Sequence, residues 1–392
     1  MSVRLPICLL ALALAVPASA QTATRFSFQG EASDHVAVAP DTRYDSERGY
    51  GWEDSGRFSV RVPEGNYRVT LVLGGAAPSE TTVRAEGRRL MLEGVRTARG
   101  RAITGSFVVN VRIAELDELP PNAPGGLAVR LKPGEIGSAT WDDKLTLEFG
   151  GAAPHVSRLA IEPASVPTLY LTGDSTVTDQ RSGPGASWGQ MLPRFLGAGI
   201  AVANHAESGE TLKSFLAALR LDKVLSRMRP GDFLLIQFGH NDQKSQWPQT
   251  YADPALTFRA YLRAYIAEAR RRGATPILVT SPERRNFDGA GRIKPSHGDY
   301  PDAVRAVARE DGVALIDLTP MSVAFYEALG PERAPLAFNG DVTHHNEYGA
   351  YQLARMIASR LDAAGPGMAR HVREDARAYD PGRAPEPEGF AL

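Results

Sequence analysis

Four short polar blocks in the second half of the chain carry the residue types needed to hydrolyse an ester. Gly173-Asp174-Ser175-Thr176 offers a hydroxyl nucleophile, and Asp341-Val342-Thr343-His344 offers a carboxylate and an imidazole three residues apart. On one short turn that carboxylate can reach the imidazole Nδ1, leaving Nε2 to take a proton from Ser175. Between them lie Asn204-His-Ala-Glu-Ser-Gly209 and Gly239-His-Asn241-Asp242. The N–H groups of Ser175 and Gly209 and the side-chain amide of Asn241 are the donors such chemistry needs, aimed at the oxyanion of a tetrahedral intermediate. Gly209, lacking a Cβ, lets the backbone approach closely. Taken singly, each block has a commoner structural use: a serine there caps a helix, Gly and Asn after strands make turns, and an Asp–His pair at a helix start caps it. In the chain order Ser, Asp, His, with donors between, the combination is far more specific than any part.

Positioning these blocks requires strands that end just before them. Leu169–Leu171, Ile200–Ala203, Phe233–Phe238, Ile277–Val279 and Ala314–Ile316 are short apolar runs without alternation. Helix-like stretches separate them, including Phe215–Met228, Tyr261–Arg272 and Tyr348–Leu361. Strands buried on both faces and alternating with helices predict an α/β fold, a parallel five-stranded sheet with helices on both sides. Ligands then bind beyond the carboxyl ends of the strands, where the four blocks fall.

The preceding region reads differently. From Phe26 to about Pro163 apolar and polar residues alternate in short runs, predicting an all-β sandwich of jelly-roll type. Phe58–Val62 and Tyr67–Leu73, separated by Pro63-Glu-Gly-Asn66, read as a hairpin. Further strands are expected at Phe107–Ile113, Leu127–Leu131, Leu145–Phe149 and Leu159–Ile161. Ala164–Thr168 forms the linker. The expected organisation is a signal peptide over 1–20, a β domain over 21–164, a hydrolase domain over 165–365 and a loosely held Pro-rich tail over 366–392.

Arg4, the apolar run Ile7–Val16 and Ala18-Ser19-Ala20 form the pattern of a secretory leader cleaved after Ala20, so a secreted or periplasmic protein is expected. The apolar run is about half of the ~20 residues needed to span a bilayer, so no membrane insertion is expected. Cys8, the single cysteine, lies inside the leader, and the mature chain would have no disulfide or thiolate nucleophile. A hydrophobic content of 43% and a charged content of 23% exclude general disorder. A formal net charge of −1 speaks against a nucleic-acid partner, though arginines clustered locally can still serve a polyanionic substrate.

The four blocks resemble those of the SGNH (GDSL-like) hydrolases: Gly-Asp-Ser, Gly, Gly-x-Asn-Asp and Asp-x-x-His. The longer strings Gly-Asp-Ser-Thr-Val-Thr-Asp179, Asn-His-Ala-Glu-Ser-Gly-Glu-Thr-Leu-Lys-Ser-Phe215, Gln-Phe-Gly-His-Asn-Asp242 and Thr-Ser-Pro-Glu-Arg-Arg285 look like the rhamnogalacturonan acetylesterase branch. Tyr44 to Glu53, with Gly49-Tyr-Gly-Trp52, is similar to the galactose-binding-like domain that precedes some of these esterases. The resemblance implies a flavodoxin-like sheet, the triad Ser175, Asp341 and His344, and an oxyanion hole of Ser175, Gly209 and Asn241. It implies no metal and no organic cofactor, and an acetylated plant cell-wall polysaccharide as substrate. Glu210 and His345 stand where relatives often carry Arg and an aromatic residue, and both are expected to line the cleft. Arg284 or Arg285 is expected to bind a galacturonate carboxylate, and Trp247 and Tyr251, after the third strand, either to stack on sugar rings or to pack in the core.

Other readings carry less. Gly185-Ala-Ser187-Trp-Gly189 matches a nucleophile elbow, but Pro and Gly before it bar a central strand, so Ser187 is expected to cap a helix. A metallophosphoesterase needs several His and Asp converging on paired metals, and the chain has only eight His. An acetyl xylan esterase of the same fold, and a carbohydrate-binding protein without activity, remain as alternatives.

Overall fold

The structure is a computed structural model that describes residues 23–30, 33–54, 56–116 and 126–392. The expected signal peptide, with Cys8 and the cleavage site, lies outside the described residues.

Ten strands make the first domain: β1 (Thr24–Ser27), β2 (Val36–Ala37), β3 (Tyr50–Trp52), β4 (Arg57–Arg61), β5 (Gly65–Leu73), β6 (Ser79–Ala85), β7 (Arg89–Thr97), β8 (Ile103–Val111), β9 (Lys144–Ala153) and β10 (Val156–Pro163). They form two sheets, ordered β2-β1-β10-β5-β8 and β3-β4-β9-β6-β7. Leaving aside β2 and β3 at the edges, this is jelly-roll connectivity. Along β5 the alternation is direct: Tyr67, Val69, Leu71 and Leu73 are buried, and the residues between them half-buried. Phe26, Phe58, Leu71, Val83, Leu147 and Leu159 meet between the sheets, fully buried, each side chain contributing roughly 1.5–3 kcal/mol through its burial.

The second domain holds β11 (Thr168–Gly173), β12 (Ala201–Asn204), β13 (Phe233–Gln237), β14 (Thr275–Val279) and β15 (Ala314–Ile316), all parallel, in the order β12-β11-β13-β14-β15. Its main helices are α1 (Trp188–Met191), α2 (Leu212–Ala217), α3 (Arg220–Arg227), α4 (Thr257–Arg271), α5 (Tyr300–Glu310), α6 (Leu318–Arg333) and α7 (Glu347–Ala358). Successive strand residues feed opposite cores. Leu169, Leu171, Leu235, Ile277 and Val279 pack under α1, α6 and α7. Tyr170, Leu234, Ile236 and Leu278 pack under α2 to α5. Since β12 and β13 flank β11 on opposite sides, the chain leaves β11 and β13 in diverging directions and opens a crevice at their carboxyl ends.

The sandwich docks on this crevice's walls. The β6–β7 turn, with Glu86 and Arg88 in the left-handed region, meets the segment after Gly173–Thr176. Arg89 pairs with buried Asp179 at 3.1 Å, and Gln190 Nε2 donates to the Gly87 carbonyl at 2.6 Å. The loop before β9 reaches α3, where buried Glu135 accepts from Arg220 Nη1 at 3.0 Å.

Four sequence expectations are corrected. Phe58–Val62 and Tyr67–Leu73 do not pair as a hairpin: β4 and β5 lie in different sheets, because the chain crosses the sandwich at Pro63-Glu64. Leu127–Leu131 is not a strand but a loop with one bridge at Ala128; the Arg130 N–H instead donates to the Ala218 carbonyl of the second domain. Phe215–Met228 is two helices, broken where Leu219 turns left-handed at φ 59°. The segment after Gly365 is not loosely held, since Met368, Val372 and Ala376 are buried in the core under α7. Ser187 does cap α1, its side chain accepting from the Gln190 N–H.

Candidate active site

Ser175 follows β11 directly and is nearly buried, at 9% exposure. The turn that carries it is braced from below: Thr176 N–H and O–H both donate to Asp174 Oδ1 at 3.0 Å, and Gln180 Nε2 donates to the Ser175 carbonyl at 2.9 Å. Asp341 and His344 lie on the turn before α7. Asp341 Oδ1 accepts the N–H groups of Thr343 and His344, both at 2.7 Å. Its Oδ2 stands 2.6 Å from His344 Nδ1, and His344 Nε2 stands 2.9 Å from Ser175 Oγ. The three side chains form one hydrogen-bonded chain, with Nδ1–H donating to the carboxylate and Nε2 facing the hydroxyl. Partial burial raises the Asp341 pKa, but the His344 and Thr343 hydrogen bonds outweigh it and hold the carboxyl below its ordinary value, so it is ionised to orient the ring.

Of the expected oxyanion donors, Ser175 follows β11, Gly209 follows β12 and Asn241 follows β13. Gly209 has φ 79°, a conformation that costs glycine least. The N–H groups of Ser175 and Gly209 make no backbone hydrogen bond among the described residues, as donors reserved for a ligand would not. Asn241 Nδ2 donates to the Glu210 carbonyl at 3.1 Å and its Oδ1 accepts from Lys244 Nζ at 2.7 Å, which fixes the amide orientation and leaves its second N–H unengaged.

The rim residues separate. Arg284 is committed internally, to the Ser296 carbonyl and hydroxyl and to His297 Nδ1, at 3.2–3.3 Å; it is not the free carboxylate ligand expected. Arg285 lies beside the triad, with Nη2 3.4 Å from the Asp341 carbonyl and its guanidinium over the Phe338 ring. Trp247 is half-exposed, with Lys244 Nζ 4.9 Å from its ring centroid. Glu210 and His345 do not line the cleft. Glu210 is buried and pairs with Lys132 Nζ at 2.7 Å. His345 is buried against Phe338 and 2.8 Å from the Tyr326 hydroxyl, and burial drops its pKa to about 3, so it stays neutral.

Two features lay beyond sequence reasoning. His240, next to Asn241, sets Nδ1 3.2 Å from Asp174 Oδ2, tying the nucleophile turn to the loop after β13. Lys132 of the β domain reaches the backbone at Gly209. The Gly-His-Asn-Asp string contained the first; no local signal pointed to the second. No group of three or more His, Cys, Asp or Glu placed to hold a metal ion occurs among the described residues, and none of their helices is long and apolar enough to cross a membrane.

The parallel β12-β11-β13-β14-β15 sheet, with helices on both faces and a hydrogen-bonded Ser–His–Asp chain at its switch point, defines a flavodoxin-like α/β protein. Residues 171–351 match the GDSL-like lipase/acylhydrolase family, and the chain belongs to it: it is a carboxylic-ester hydrolase. Rhamnogalacturonan acetylesterase RhgT of Bacillus subtilis (strain 168) is 38% identical over 220 residues, covering 52% of this chain and 93% of the relative. The uncharacterized esterase YxiM of the same organism is 29% identical over 322 residues, covering 81% of this chain and 76% of the relative. The crystal structure of YxiM superimposes with a TM-score of 0.51 at 24% identity, covering 88% of this chain and all of that one, so the likeness in fold extends over both domains.

Proposed function

We propose that this protein is a carbohydrate acetylesterase that removes O-acetyl groups from pectic rhamnogalacturonan through an acetyl-enzyme on Ser175. The observation that carries the mechanism is the unbroken chain from Ser175 Oγ through His344 to Asp341. Ser175 Oγ attacks the acetyl carbonyl carbon as His344 Nε2 takes the hydroxyl proton. The oxyanion receives hydrogen bonds from the N–H groups of Ser175 and Gly209 and from the Asn241 amide. Collapse breaks the bond to the sugar oxygen, which leaves with the proton held by His344. A water molecule, deprotonated by His344, then attacks the acetyl carbon; the bond to Ser175 Oγ breaks, Oγ takes the proton back from His344, and acetate leaves.

The substrate rests on two supports: RhgT, whose name states that activity, is aligned over 93% of its length, and cationic side chains stand beside the proposed site, Arg285 against the Asp341 carbonyl and Lys244 on the Asn241 amide and over the Trp247 ring. His344 and Asp341 have side chains 42% and 48% exposed, an open site suited to a polymer lying across it rather than to a molecule enclosed in a tunnel. The leader pattern of the first twenty residues supports export, to where such polymers are met.

The test is acetate release from acetylated rhamnogalacturonan, acetylated xylan and a long-chain aryl ester, with Ser175→Ala beside the wild type. Fast release from the first, abolished in the variant, is expected. Preference for xylan would overturn the substrate and keep the chemistry. Absence of release from all three by folded protein would favour a carbohydrate-binding protein.

A further inference from the structure

The Ser208–Gly209 peptide is held from outside its own domain. Lys132, in the β-domain loop before β9, donates from Nζ to the Ser208 carbonyl. The same ammonium pairs with Glu210 Oε1 at 2.7 Å and stands 3.7 Å from where a Gly209 Cβ would be. In a trans peptide the C=O and the following N–H point in opposite directions. An ammonium gripping Ser208 O therefore turns the Gly209 N–H the other way, and its charge polarises the peptide into a stronger donor.

Lys132 is itself anchored. Its N–H donates to Glu135 Oε2 at 2.8 Å, and Glu135 is locked to Arg220 of α3 and to Trp141 Nε1, the latter at 2.9 Å. Both Glu135 and Arg220 are buried. The loop thus spans from the rigid domain interface to one peptide of the catalytic centre. Glu210 completes the arrangement: its buried carboxylate balances Lys132, while its carbonyl accepts from Asn241 Nδ2 at 3.1 Å.

We propose that Lys132 is a positioning residue for ester hydrolysis, supplied by the β domain, which orients and polarises the Ser208–Gly209 peptide so that its N–H meets the oxyanion. The inference rests on the Ser175 site proposed above. The β domain is then a working part of the catalytic centre, whatever polysaccharide it also touches.

The experiment uses the full chain and a small aryl acetate, which makes no contact with remote sugar subsites. In Lys132→Met, kcat falls by about ten- to a hundredfold, a part of the 10²–10³ that loss of a whole oxyanion donor costs, and KM stays within about twofold. Affinity for a boronic acid that adds to Ser175 as a tetrahedral adduct falls with kcat. Lys132→Arg, still able to donate to the carbonyl, recovers most of the rate. Because Lys132→Met leaves buried Glu210 less well compensated, the double variant Lys132→Met/Glu210→Gln is measured beside it: its kcat stays low. A double variant restored to wild-type kcat would show that Lys132 serves only to neutralise Glu210, overturning the proposal, as would an unchanged kcat in Lys132→Met. Lys144→Ala, which breaks a pair with Glu53 elsewhere on the β domain, leaves kcat unaltered. Full activity in Ser175→Ala would instead overturn the site and the proposal together, so the two failures are told apart.

Discussion

Replacing Asp341 by Asn tests the catalytic chain at its most informative point, because the change keeps shape and alters only which atoms donate. Asp341 Oδ1 receives two main-chain N–H groups at 2.7 Å, while Oδ2 faces His344 Nδ1 at 2.6 Å. In Asp341→Asn the amide oxygen inherits the two N–H groups. Reversing it would set NH2 against two donors and forfeit two bonds, at about 1–3 kcal/mol each. The amide nitrogen therefore faces Nδ1, which must accept, and the ring proton moves to Nε2, opposite Ser175 Oγ. That tautomer cannot take the serine proton. A preference of about 2–6 kcal/mol leaves the competent state between roughly one in thirty and one in twenty-five thousand. Asp341 is half-exposed, so water replaces part of the lost bonding and the lower half of that range applies. We expect kcat on an aryl acetate to fall about thirty- to a thousandfold, with the melting temperature little changed. Asp341→Ala, which leaves the ring free to choose its tautomer, should lose less. Activity of Asp341→Asn within fivefold of wild type, or a larger loss in Asp341→Ala, would refute the reasoning.

Asn241→Ala should lower kcat by about 10²–10³-fold with little change in KM, read by steady-state kinetics. Arg285→Ala should raise KM for acidic oligosaccharides and leave a neutral aryl acetate unaffected, whereas Arg284→Ala should lower the melting temperature by stranding its internal acceptors; the reverse pattern would sink the assignment of the rim. Burial pushes the Glu86 carboxyl up to about 8, against the pull of Arg89 and of the Thr146 N–H. The folded state keeps a proton the unfolded chain releases near 4.5, so stability is fully present below that pH and is lost as pH rises towards 8. Glu86→Gln retains an acceptor for the Thr146 N–H, now 2.9 Å from Glu86 Oε1, and cannot ionise. Thermal melts should show it stabilised at pH 8, by an amount on the order of a few kcal/mol, and the gain should vanish near pH 4.5. A gain independent of pH would contradict this account.

The chemical blocks were legible because each is local. Asp341 and His344 meet within one turn, and Ser175, Gly209 and Asn241 each sit a few residues past a strand whose apolar run marks it as central. A parallel sheet brings the ends of such strands together regardless of detail, so chain order and strand ends sufficed to collect five residues into one crevice. The β domain was legible only as strands. Alternation has the same period whichever strand lies alongside, so it could not show that β4 and β5 belong to different sheets instead of pairing. For the same reason an apolar run such as Leu127–Leu131 reads as a strand although its backbone divides its bonds between Ala114–Leu116 and, through the Arg130 N–H, the second domain.

Charged residues carried least information, since a long side chain's role depends on what it reaches. Arg284 and Arg285 are neighbours of one type, yet one is bound inside and the other lies at the triad's edge. Glu210 looked like a cleft residue until its partner Lys132, 78 positions earlier in the sequence, came into contact with it. The sequence by itself singled out Ser175, Asp341 and His344, which the fold joins in one hydrogen-bonded chain, and the parallel sheet that gathers them, all through short-range pattern. Only the tertiary structure decided which strands pair in the sandwich, which arginine lies against Asp341 and which residue of the β domain reaches the Ser208–Gly209 peptide, because those contacts join segments far apart in the chain.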